Sequence, residues 1–134
     1  MSSKVKILVV DDDVYMTNEL KLNLVSHIDC DVEIFNDPHA ALKRINEQEF
    51  DLISLDYRMP DLTGLEITND LRKNKKAVNY KTPILIFTGF REEVESLAIG
   101  MLDDVLFLEK PIKDAKYIRN VKIALAMKKK SSAA

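Results

Sequence analysis

Two spacings of apolar residues alternate along the chain. Residues 5–10 form a short β-rich run that ends at acids. Residues 14–25 then take helical spacing, with Met16, Leu20 and Leu24 four apart. Short apolar runs at 32–35, 52–55, 84–87 and 105–108 read as four more strands. Between them lie helical patterns. Asp37 and Pro38 look like a cap followed by proline at the first helical position, and Ala40, Ala41, Leu42 and Ile45 carry that helix's inner face. Leu65, Thr68 and Leu71 fall three apart. A short helix is predicted over 92–99, ended by Gly100, and Asp114 is read as the cap of a last helix with Ile118, Val121 and Leu125 on one face. Five strand–helix units imply a parallel sheet covered by helices on both faces. The polar stretch 72–82 is longer than the usual connection.

The bulk numbers narrow the picture. The 134 residues fit one domain, predicted over 1–127, with a polar tail at 128–134 expected to fray. The lysines at the start of that tail suit the negative end of the last helix. A net charge of −2 argues against a direct nucleic-acid binder. No apolar run approaches the roughly 18 residues of a membrane span, and the N-terminus lacks a signal-peptide pattern, so a cytoplasmic protein is expected. Cys30 is the single cysteine, which rules out an internal disulfide; it reads as a half-buried packing residue.

In an open parallel sheet, ligands bind beyond the C-terminal ends of the strands. Strand one ends in Asp11, Asp12 and Asp13, strand three in Asp56, strand four in Thr88, and strand five in Lys110 before Pro111. Acids at one strand end are common turn and cap residues, and Asp13 is read as such a cap. Asp11, Asp12 and Asp56 together are different, because like charges a few ångströms apart resist joint ionisation. Lys110 relieves part of this. A divalent cation would relieve the rest, and magnesium suits an all-oxygen site of carboxylates, waters and phosphate oxygens. His27 and His39 have no ligand-like spacing, and nothing suggests zinc. A carboxylate can act as a nucleophile toward phosphorus and form an acyl phosphate, with catalysis coming from positioning and electrostatics.

These residues carry a resemblance. The chain resembles the receiver domain of bacterial two-component response regulators over roughly residues 4–127. The resemblance rests on four pieces: Ile7 to Asp13; Asp51 to Glu66, which contains Asp56, Met59, Pro60 and Gly64; Pro83 to Gly89; and Lys110-Pro111. It implies a flavodoxin-like α/β fold, a (βα)5 three-layer sandwich with a five-stranded parallel sheet in the order 2-1-3-4-5. Residue by residue, it implies that Asp56 accepts the phosphoryl group. Asp11, Asp12, Asp56 and the backbone carbonyl of Arg58 would bind Mg2+. Thr88 matches the switch hydroxyl, Lys110 the phosphate-binding lysine, and Phe107 the switch aromatic. Phosphorylation is expected to move the face built from the fourth helix, fifth strand and last helix. The implied partners are a sensor histidine kinase or phosphotransfer protein and a downstream protein target. The implied state is a monomer or a phosphorylation-dependent homodimer, with no membrane. The chain would then be no enzyme in the ordinary sense, catalysing only its own phosphorylation and dephosphorylation.

Some positions depart from the family pattern. Arg58, two residues past the acceptor, is expected to alter the acyl-phosphate lifetime. Gly100 lies about three positions earlier than the usual small-residue pair, and Gly89 replaces a more common alanine or serine. Three other readings compete. An interaction-only receiver is opposed by the full residue set. A magnesium-dependent phosphatase would place an acid where Arg58 stands. A flavin module would have loops richer in Ser, Thr and Gly. With no output domain after residue 127, the chain reads as a stand-alone receiver or an excised fragment.

Overall fold

Each predicted strand forms, and all five pair in parallel in the order β2-β1-β3-β4-β5. The computed structural model describes residues 4–90 and 104–133, with side chains to 128. The elements are β1 (Val5–Val10), α1 (Val14–His27), β2 (Cys30–Phe35), α2 (Pro38–Glu47), β3 (Leu52–Asp56), α3 (Gly64–Lys73), β4 (Ile84–Thr88), β5 (Val105–Glu109) and α4 (Asp114–Ala133). The helix predicted over 92–99 and its stop at Gly100 lie outside the described residues. The last helix continues through Ala133, past residue 127 where the domain was expected to end.

The alternation of side chains along each strand divides the core in two. Leu8, Val10, Ile53, Leu55, Ile84 and Ile86 point to one face and pack with Ala41 and Ile45 of α2 and Leu65, Ile67 and Leu71 of α3. Ile7, Val9, Leu52, Leu85 and Phe87 point to the other and pack with Leu20 and Leu24 of α1 and Tyr117, Ile118 and Val121 of α4. Cys30 packs in this second cluster, buried rather than half-buried. With both faces covered, the central strands are continuous apolar runs, and β3 and β4 are buried along their whole length.

The helix starts follow from local chemistry. Asp13 caps α1, its side chain accepting from the Met16 amide at 3.2 Å. Asp37 caps α2 by accepting from the His39 amide at 3.0 Å, with Pro38 in the first turn. Thr63 and Glu66 close a capping box on α3. Asp114 is instead the first residue of α4, and the Lys113 carbonyl accepts from the Tyr117 amide at 3.0 Å.

β1 lies between β2 and β3, so the chain leaves it toward one side first and returns on the other. The strand ends at this reversal enclose a crevice. In register, Val10 pairs with Leu55 and Asp56 with Phe87, which sets the loops after β1, β3 and β4 side by side.

Candidate functional site

Five of the predicted site residues stand at these strand ends. Asp11 and Asp12 follow β1, Asp56 closes β3, Thr88 closes β4, and Lys110 follows β5. Carboxylate oxygens of Asp11, Asp12 and Asp56 lie within 4.8 Å of one another. Asp11 and Asp56 are buried, whereas Asp12 is exposed. Lys110 Nζ donates to Asp56 Oδ1 at 2.8 Å and lies 3.9 Å from Asp11 Oδ2.

The local backbone holds this arrangement. Asp11 Oδ1 accepts from the Asp13 amide at 3.0 Å, and Asn36 donates to the Asp11 carbonyl at 2.8 Å. Asn36, just after β2, thus braces the acidic loop. The Lys110 amide donates to the Thr88 carbonyl at 2.9 Å, tying the ends of β4 and β5 together. The Lys110-Pro111 peptide is cis. Gly64 packs directly beneath Asp56. A Cβ there would stand 2.7 Å from the Asp56 carbonyl oxygen, so only glycine permits α3 to begin so close to the strand.

The electrostatics are unbalanced. Burial pushes the Asp11 carboxyl up to about 6; the Asp13 amide lowers it and the Asp56 charge raises it further. Burial also raises the Asp56 carboxyl above its ordinary range, against the lowering effect of Lys110. Burial works against the Lys110 charge too, but the hydrogen bond and charge of Asp56, with Asp11 and Asp12 behind it, hold the ammonium above its ordinary value. Among the described residues, one cation therefore faces three carboxylates. This donor set, all oxygen, crowded and short of positive charge, fits a hard divalent cation.

The remaining predicted residues surround this centre. Thr88 is buried, and its hydroxyl accepts from the Phe90 amide at 3.0 Å. Phe107 is half-buried on β5, paired in register with Ile86 and packed against the α2–α3 side of the core. The Arg58 guanidinium lies 5.4 Å from the centroid of the Phe90 ring. His27 and His39 stay apart from the crevice: His27 bonds the Asn23 carbonyl and His39 lies 3.8 Å from Asp61. Phe90 was not anticipated; a lone aromatic after Thr88-Gly89 carries no periodic signal.

The chain is similar in sequence and fold to known proteins. The family model "Response regulator receiver domain" matches residues 7–122. The transcriptional regulatory protein FixJ of Bradyrhizobium diazoefficiens is 34% identical over 93% of this chain and 58% of its own length. The CpxR homolog of Haemophilus influenzae is 34% identical over 90% of this chain and 50% of its own. The chain thus spans about half the length of these curated relatives. Among solved structures, the receiver domain of the Francisella response regulator 1452 superposes with a TM-score of 0.75 at 30% identity, covering 92% of this chain and 98% of that one. A CheY-like receiver domain protein from Methanospirillum hungatei shares the fold, with a TM-score of 0.84 at 24% identity over 96% of this chain and 99% of that one. With the family model matched across most of its length and the acidic crevice at its β1–β3 switch point, the chain belongs to the receiver domain family of two-component response regulators.

Proposed function

We propose that the chain is a phosphoacceptor that takes a phosphoryl group from a phosphohistidine of a sensor kinase or phosphotransfer protein onto Asp56, in a reaction that requires Mg2+. The observation that carries this reading is the Lys110–Asp56 contact of 2.8 Å, set beside the Asp11 and Asp12 carboxylates. The Asp56 carboxylate attacks phosphorus, a P–O bond forms, and the P–N bond breaks. The imidazole nitrogen keeps the bonding pair, and the ring takes up one proton. Asp11, Asp12, Asp56 and the Arg58 carbonyl would hold the magnesium ion, which when bound neutralises charge on the phosphoryl oxygens. Lys110 orients Asp56 before transfer and offers its ammonium to the phosphoryl oxygens afterwards. The Thr88 hydroxyl contributes one hydrogen bond to them.

The new dianion then biases two packings of Thr88 and Phe107, and with them the face formed by the helix predicted over 92–99, β5 and α4. A downstream protein reads that face, with the chain as a monomer or a phosphorylation-dependent homodimer. Turnover is limited to Asp56 itself, and Arg58 modulates loss of the phosphoryl group. A cytoplasmic setting accords with a kinase partner. Among the described residues no helix is long and apolar enough to cross a membrane.

Intact mass after incubation with acetyl phosphate tests the reading. The native chain gains one phosphoryl group only with magnesium, Asp56→Asn gains none, and the acyl phosphate of Arg58→Ala decays at a rate different from native. Uptake by Asp56→Asn equal to native would overturn the assignment.

A further inference from the structure

Arg58 and Phe90 hold equivalent places on neighbouring loops. Arg58 lies two residues beyond Asp56 at the end of β3, and Phe90 two residues beyond Thr88 at the end of β4. The strands are in register there, Asp56 opposite Phe87, and the Tyr57 amide donates to the Phe87 carbonyl at 2.7 Å. Across this seam the Arg58 guanidinium covers the Phe90 ring, with 5.4 Å to its centroid. The same residue's amide donates to the Thr88 hydroxyl oxygen at 3.0 Å. Phe90 therefore engages two groups at once: the side chain two residues past Asp56, which the reading above makes the acceptor, and the hydroxyl of the residue that follows Asp56's register partner Phe87. Phe90 is 55% exposed, so this is no core contact whose purpose is burial.

We propose that Phe90 is a positioning residue that latches the resting state, with its ring occupying Arg58 and its amide pinning the Thr88 oxygen until a phosphoryl group on Asp56 draws Arg58 away. The inference rests on the reading of Asp56 as phosphoacceptor. The competition is unequal. An exposed ring face attracts a guanidinium weakly, whereas a phosphoryl dianion accepts paired, charge-assisted hydrogen bonds from it. The dianion wins, but its affinity is reduced by the hold of the ring that Arg58 must leave. Removing the ring should therefore tighten binding of a phosphoryl mimic, by about two- to five-fold.

Beryllofluoride, titrated calorimetrically with saturating magnesium, supplies the test. Phe90→Ala and Phe90→Leu should both bind it about two- to five-fold more tightly than native. Phe90→Tyr, which keeps the ring, should match native. In an Arg58→Ala background, Phe90→Ala should change nothing, because the partner is gone. Unchanged or weaker binding by both ring-less variants overturns the latch, as does an equal gain without Arg58. Native protein that binds beryllofluoride while the variants behave like it sinks the latch alone. Native protein that neither binds beryllofluoride nor gains a phosphoryl group sinks the reading of Asp56 and the latch together.

Discussion

Asp11 is the residue whose chemistry is most altered by its position. Its carboxyl is moved from 3.8 to about 6, chiefly by burial, so the folded chain prefers it neutral. The stability this contributes is fully present below pH 3.8 and is lost as pH rises through about 6. Urea denaturation of metal-free protein should therefore show Asp11→Asn more stable than native at pH 7.5 and indistinguishable at pH 4. Magnesium should narrow the gap at pH 7.5 by stabilising only the native chain. A native advantage at pH 7.5 without metal would refute the frustrated-charge account. The acids, Thr88 and Lys110 were legible because each ends an apolar run, and topology brings such ends together. The contact between Arg58 and Phe90 was not, since nothing local marks two residues that meet only when β3 and β4 align.

Elements were legible where their signals are local. Asp13 and Asp37 mark the starts of α1 and α2 through side chains that reach amides two or three residues on. The long polar connection after α3 was not, because its order comes from distant partners. Asn79 there is fully buried and donates to the Ile45 and Gln48 carbonyls at 2.6 and 2.8 Å. It accepts from the Phe50 amide and the Thr82 hydroxyl, each at 2.8 Å. Arg72 caps the same loop with bonds to the carbonyls of Tyr80 and Thr82 at 2.7 and 2.8 Å. One side chain thus joins the end of α2, the approach to β3 and the approach to β4. Asn79→Ala would leave buried backbone groups without partners and should cost about 2–4 kcal/mol, read as a lower urea midpoint. A loss under about 0.5 kcal/mol would mean that the loop is held by other contacts.

For the whole molecule, alternation of spacing was enough to anticipate a two-faced parallel sheet, while the strand order came from family resemblance. Where the chain stops being needed was read from composition, and composition looked only at the polar tail. Lys128 lies at the end of the sheet opposite the crevice. Its ammonium donates to the Phe50 carbonyl at 2.8 Å and lies 3.3 Å from Glu49 and 3.4 Å from Asp51. Asp51 in turn accepts from the Lys6 amide at 2.8 Å. These contacts join α4 to the start of β3 and, through it, to β1. For anyone cutting a minimal fragment for expression or crystallisation, the safe boundary falls after this lysine. Ending at Met127 should lower stability by about 1 kcal/mol relative to a fragment ending at Lys130, as a shift in thermal midpoint would show. Lys128→Met in the longer fragment should reproduce most of that loss, which would assign it to one ammonium and leave the rest of the tail dispensable.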